Sequence, residues 1–191
     1  MQERKLTIAV SGLPGAGKTT YAKHIAEFFN LRYVSNGLLF RRLAKERGYT
    51  FEDFHKLAEE DPNIDKEIDK MAKREALKGG VVVDGHLAVW VLKDIAHIKI
   101  IYTAPIDIRA KRVAMRENIP YEKALEGILL REKSNFQRAL KYYKINIYDY
   151  TVADLVINTG ILDIDGVKKI TINFLSNYLR LNQDLLPEKQ S

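Results

Sequence analysis

Residues Gly12 to Thr19 read GLPGAGKT, with four residues between Gly12 and Gly17 and then Lys and Thr. This is the full G-x-x-x-x-G-K-[ST] pattern of a phosphate-binding loop. Gly12, Gly15 and Gly17 permit a tight turn whose N–H groups converge on an anion, with Leu13, Pro14 and Ala16 completing the loop. Lys18 is then set to reach the β- and γ-phosphates of a nucleotide, and the Thr19 hydroxyl to ligate Mg²⁺. Thr20 follows in the first turn of a helix, whose N-terminus adds partial positive charge. A second oxygen donor is Asp84, at the end of the valine run VVVDG, placed to hold the metal through water. No Asn-Lys-x-Asp guanine reader follows a strand, and DIDG (163–166) comes too late in the chain for a GTPase switch.

Arginine is the third part of the pattern. Arg109, Arg112 and Arg116 share a helix face, as do Arg131 and Arg138. Phosphoryl transfer is mostly positioning and charge stabilisation, for which guanidinium is well suited. Two arginine faces joined by ENIPYEKALEG (117–127) describe a hinged helical flap that closes over a polyphosphate and excludes water. From Arg109 to Lys144 there are ten basic and four acidic residues, an excess equal to the whole chain's net charge of +6. A P-loop protein binding nucleic acid through this segment is the alternative from a different class. Against it, these arginines alternate with core-type residues.

The elements that must hold these groups follow from periodicity. Apolar, β-branched runs at 5–10 and 79–85 read as buried strands, and 32–35, 97–104 and 154–160 as three further strands. Helices are expected over 17–30, 36–47, from Thr50 with Asp53 as capping box, from Asp61-Pro62 to Leu77, from Pro105 to Asn118, from Pro120 to Tyr143, and from Asp163 or Asp165. LPEKQS (186–191) is expected to fray. Alternating strands and helices argue an α/β fold, a five-stranded parallel sheet with helices on both faces.

The 191 residues suit one domain. There is no cysteine, and the four histidines make no metal spacing. No apolar run reaches the length of a membrane span, and the N-terminus has no signal-peptide pattern, so a cytoplasmic protein is expected. His24, His55 and His97 read as surface or helix-face residues, and Trp90 as core or cleft wall. Tyr142, Tyr143, Tyr148 and Tyr150 read as a packed hinge rather than a base-stacking platform.

Several longer stretches make the pattern recognisable. SNGLLFR (35–41), LAEEDPNID (57–65), VVVDGHLAVW (81–90), REKSNFQR (131–138) and DLVINT (154–159) resemble segments of the nucleoside monophosphate kinases, most closely the archaeal type of cytidylate kinase. The resemblance runs nearly end to end. It implies a three-layer P-loop kinase fold with a core over 1–35, 78–117 and 145–186, a monophosphate-binding insert at about 36–77 and a lid at about 118–144. It implies ATP and Mg²⁺, with CMP or dCMP as acceptor; UMP or AMP is the alternative within the class. A monomer with small nucleotides as its partners is expected, with neither nucleic acid nor membrane.

The resemblance also assigns residues. Ser35, Gly37 and Arg41 match the acceptor-binding motif, with Asp84, Gly85 and His86 at its far side. Arg112, Arg131 and Arg138 match positions that contact the moving phosphoryl, and Arg116 fits beside ATP. Asp65 reads as a first-turn carboxylate or as an acceptor for the cytosine amine. Two departures stand out. Leu38 replaces a common acid, and His86 stands where these kinases carry an arginine for the acceptor phosphate. Arg42, about 100° round the helix from Arg41, is either a solvent-facing neighbour or a substitute for that arginine.

Overall fold

A computed structural model of the chain describes residues 6–185. Lys5, expected in the first strand, the N-terminal residues read for a signal peptide, and the tail from Leu186 lie outside the described residues. Five parallel strands form one sheet: β1 (Thr7–Gly12), β2 (Arg32–Ser35), β3 (Val81–Asp84), β4 (Ile98–Thr103) and β5 (Leu155–Asn158), in the order β2-β3-β1-β4-β5. The expected five strands and their parallel arrangement are all present. Register matters for chemistry. Asp84 pairs with Val10 on one side and Ser35 on the other, so three strands end together. Ligands of open parallel sheets gather at that carboxyl edge.

Apolar residues alternate between the two faces of β1. Ile8 and Val10 face a core with α1 (Lys18–Phe28) and α8 (Ile164–Leu181), and Ala9 faces the other with Val81, Val83 and α5 (Ala88–Val91). Helices on both faces therefore bury β1 and β3, while the edge strands β2 and β5 stay partly exposed. The short α5 has no sequence signal of its own.

Between β2 and β3 the chain makes α2 (Asn36–Glu46), α3 (Phe51–Glu60) and α4 (Pro62–Leu77), which close around Phe40, Ala44, Phe54, Ala58, Ile64 and Ile68. Their starts use local oxygen caps. Ser35 Oγ accepts from Leu38 N, Thr50 Oγ1 from Asp53 N, and Asp61 Oδ1 from Asn63 N. The expected caps at Thr50 and Asp61-Pro62 are thus present.

After β4, α6 (Ile106–Glu117) and α7 (Tyr121–Arg138) pack through Ala110, Val113, Ala124 and Ile128. The sequence predicts a single helix to Tyr143, but the backbone widens into a π turn over Ala139–Tyr143. That turn aims three side chains at α3 and α4. Lys141 Nζ donates to Glu59 O at 3.2 Å, the Tyr142 hydroxyl to the same carbonyl at 2.5 Å, and the Tyr143 hydroxyl to Asp69 Oδ2. Tyr150 packs on the sheet, and Tyr148, half exposed, lies tilted against Phe136 with ring centroids 5.4 Å apart.

Candidate active site

The loop from β1 to α1 is held in shape by its glycines. Gly15 and Gly17 have φ of 80° and 87°, and a Cβ at Gly15 would lie 2.7 Å from the Arg109 carbonyl. Only glycine adopts such a backbone freely. Arg109 clamps the loop from outside. Its buried guanidinium donates to Pro14 O and Ala104 O and pairs with Glu132 of α7. Arg109 therefore has a different task from Arg112 and Arg116, although all three share a helix face.

Lys18 faces a cleft of about 390 Å³. Its walls come from the loop (Pro14, Gly15), α2 (Gly37, Phe40, Arg41), α3 (Phe51, His55), α4 (Asp65, Ile68, Asp69), the end of β3 (Asp84 to Leu87) and α7 (Arg131, Asn135, Arg138). Buried polar atoms without hydrogen-bond partners occur on seven described residues: Asn36, His55, Asp65, Asp84, His86, Ser134 and Arg138. All but Ser134 line this cleft. Such atoms cost free energy unless a ligand or water satisfies them, so their clustering marks a polar binding site.

The Lys18 end of the cleft is crowded with positive charge. Desolvation lowers the Lys18 pKa; Asp84 opposes this, and Arg116, Arg41 and Arg131 add to it. Arg41 and Arg131 come from different elements yet rest on the same ring, 5.1 and 5.6 Å from the centroid of Phe51. Arg138, 2% exposed, lies over Phe40, bonds Asn135 Oδ1 and sits 3.5 Å from Asp65 Oδ1. Its Nε and Nη1 carry no hydrogen bond. Rings beneath guanidiniums fix their planes without using their N–H donors. Replacing Phe51 by Leu is therefore expected to lower kcat/KM about tenfold, measured by steady-state kinetics, with Phe51→Tyr close to wild type.

Thr19 and Asp84 form the expected oxygen pair. Asp84 Oδ2 accepts from Thr19 Oγ1 at 2.7 Å and from Tyr33 OH at 2.8 Å, while Oδ1 is buried and unpartnered. Hard oxygen donors, one of them an orphaned carboxylate oxygen, fit Mg²⁺, which completes its shell with phosphate and water.

The other assigned residues divide clearly. Ser35, Gly37, Arg41, Asp65, Asp84, Gly85, His86, Arg131 and Arg138 all line the cleft. Arg112 does not. It donates to Thr159 Oγ1 and Thr159 O, and lines a second cavity of about 270 Å³ with Gly17, Thr20, Tyr21, Arg116 and Ile164. Arg116 lines both. Arg42 is paired with Glu46 at 2.7 Å and 73% exposed, so it faces solvent and substitutes for nothing at position 86. Arg109 and Arg138 are buried and Arg112 and Arg131 half-buried, so these four arginines form no open stripe for a nucleic acid.

Three histidines illustrate the limits of pattern reading. His97 Nδ1 accepts from Thr7 N, a structural role. His86 has its pKa pushed well below the ordinary value, first by desolvation and then by Arg138 and Lys18, so it is neutral. His55, expected at a surface or on a helix face, lies on the face of α3 that packs against Phe40 and Phe51 at the cleft wall. Burial, then Arg138, Arg131 and Arg41, brings its pKa down to about 4. Phe51, His55 and Asp69 are site residues that the sequence reading missed.

Comparison with known proteins agrees with this geometry. The sequence pattern of the cytidylate kinase-like family matches residues 7–161. The cytidylate kinase of Staphylothermus marinus is 46% identical over 175 residues, covering 92% of this chain and 99% of that protein. That of Pyrococcus horikoshii is 47% identical, covering 87% and 86%. Among solved structures, shikimate kinase from Acinetobacter baumannii, in complex with shikimate, superposes with a TM-score of 0.58 at 21% identity, over 93% of this chain and 97% of that one. This last likeness concerns the fold alone.

Proposed function

The chain belongs to the cytidylate kinase-like family, and on that premise we propose that it transfers the γ-phosphoryl group of ATP to CMP or dCMP, giving ADP and CDP or dCDP. What supports this most is the clustering of unpartnered buried polar atoms in one cleft that joins the phosphate loop to α2–α4. The ATP triphosphate lies on residues 12–20, with its nucleoside on the side of Arg112, Arg116 and Ile164. The acceptor enters between Ser35, Gly37, Arg41, Asp65 and the Asp84–His86 turn. The insert is read as about 36–77 and the lid as about 118–144, around a core of 1–35, 78–117 and 145–186. We further read the enzyme as a cytoplasmic monomer of pyrimidine nucleotide metabolism; no described helix is long and apolar enough to cross a membrane.

The chemistry needs no covalent intermediate and no protein base, because the acceptor phosphate is already an anion at neutral pH. Its oxygen attacks the γ-phosphorus in line, the bond from phosphorus to the β-bridging oxygen breaks, and that oxygen keeps the electron pair as ADP leaves. Lys18 offsets charge on the leaving side. Arg41 holds the acceptor phosphate, while Arg131 and Arg138 approach the moving group from α7. Thr19 and, through water, Asp84 would hold Mg²⁺, which would supply charge neutralisation at the phosphate oxygens. Closure of α7 and its hinge over the cleft keeps water from competing.

Two expected outcomes probe individual parts. Asp84→Asn should raise the Mg²⁺ concentration for half-maximal rate severalfold and lower kcat about 100-fold, read by titrating the metal at saturating nucleotides. His86→Arg should lower the acceptor KM without raising the ATP KM, because a cation then replaces a neutral imidazole near the acceptor; an unchanged acceptor KM would remove His86 from that role. The proposal as a whole is tested by ADP release with CMP, dCMP, UMP, AMP and GMP. CMP and dCMP should have the highest kcat/KM, and a better acceptor elsewhere in the panel would refute it.

A further inference from the structure

The acceptor cleft has a second buried carboxylate that the phosphate chemistry does not use. Asp69 lies one helical turn beyond Asp65 on α4, is 9% exposed, and lines the cleft beside Ile68 and Phe40. Both acids interrupt the apolar face of a helix that otherwise buries Ile64, Ile68, Ala72 and Ala76. A buried carboxylate is costly unless something donates to it. Asp65 has the Arg138 guanidinium at 3.5 Å, and its Oδ2 still lacks a donor. The hydrogen bond to Asp69 comes from a neutral phenol, the Tyr143 hydroxyl, and occupies Oδ2. Oδ1 remains for a ligand.

The cleft is also electrically divided. The charges that act on Lys18 are Asp84, Arg116, Arg41 and Arg131. Those that act on Asp69 are Asp65, Lys73 and Arg138. Arg138 belongs to the second group, 3.5 Å from Asp65, so the cations around Lys18 and the carboxylates of α4 occupy different parts of the cleft. A nucleoside monophosphate is polarised in the same sense only when its base ends in a hydrogen-bond donor. Cytosine carries an amine at C4, whereas uracil carries a carbonyl oxygen there.

We propose that Asp69, with Asp65, is the specificity-determining element of the acceptor site, its carboxylate accepting a hydrogen bond from the C4 amine of cytosine and repelling the C4 oxygen of uracil. This rests on the CMP reading above and adds to it the group that distinguishes the base. Tyr143, at the hinge of α7, holds the carboxylate in place. Ile68 and Phe40 supply apolar wall for the ring beside it.

The test compares CMP, UMP and a CMP analogue lacking the 4-amino group, with wild type and Asp69→Asn, alongside thermal melts. Wild type should use the analogue and UMP at least about 30-fold less well than CMP in kcat/KM, since a good pair of base contacts carries about that discrimination. In Asp69→Asn the CMP-to-analogue and CMP-to-UMP ratios should fall to within about threefold of one. The proposal is overturned if wild type uses the analogue as well as CMP, or if the variant loses the same factor on all three, which is what a purely structural role would give. Should Asp69→Asn not fold, Tyr143→Phe keeps the carboxylate but unties it, and the CMP-to-analogue ratio should fall about three- to tenfold; an unchanged ratio would overturn the proposal. Wild type that turns over none of the three would instead refute the CMP reading.

Discussion

Lys18→Met is expected to lower kcat by about 10³-fold while leaving the melting temperature unchanged or slightly raised. The size follows from removing one preorganised charge from a dry transition-state site, about 3–4 kcal/mol. The stability side follows from the surroundings. Lys18 is desolvated and sits among Arg116, Arg41 and Arg131, with Asp84 as its compensating carboxylate. In the absence of nucleotide the ammonium is held at a cost, so its loss relieves the folded state. This is the pattern of a group kept for its substrate, and activity and stability should move independently. A loss of kcat below tenfold, or a marked fall in melting temperature, would contradict the role given to Lys18.

Arg138→Met should show the opposite coupling, with both quantities falling. Arg138 is almost wholly buried, lies over Phe40 and bonds Asn135, and its nearest carboxylate is Asp65. Removing one member of a buried ion pair strands the other, at about 3–5 kcal/mol. The 3.5 Å separation is longer than a charge-assisted hydrogen bond, so about 3 kcal/mol is expected here, read by denaturant unfolding. kcat/KM should drop about 100-fold as well. Adding Asp65→Asn removes the stranded charge, and the double variant should regain most of the stability and none of the activity. A double variant as unstable as Arg138→Met would mean that the two side chains are not coupled.

The parts of this fold that were legible in the sequence are those written locally. The phosphate loop is one contiguous stretch whose glycines, lysine and threonine each have a single physical use. The caps at Thr50 and Asp61 are likewise local, as are the valine-rich strands. Arg41 was legible through its spacing from Ser35, and its separation from Arg42 through helix geometry alone. What could not be read was side-chain direction among inward-facing positions. On a helix, a residue that faces a cleft has the same periodicity as one that faces a core. Phe51 therefore gave no signal of its own and His55 read as a surface or helix-face residue, although Phe51 carries two arginines and both line the cleft. Asp69 did leave a trace: a second acid within the apolar stripe of α4, four residues after Asp65. The division of labour along α6 was also out of reach. Arg109, Arg112 and Arg116 are equivalent by spacing, and only the packing of α7 and of Thr159 separates them into a clamp on the loop, a residue of the second cavity and a residue of the cleft.

The central claim is that the cleft delivers a phosphoryl group to a nucleoside monophosphate and keeps it from water. Phosphorus NMR of the protein with ATP, Mg²⁺ and CMP tests this in one experiment. CDP and ADP should appear in equal amounts, with orthophosphate formation at least about 100-fold slower, and omission of CMP should leave ATP essentially intact. Orthophosphate accumulating at a rate independent of CMP, with no CDP resonance, would contradict the account.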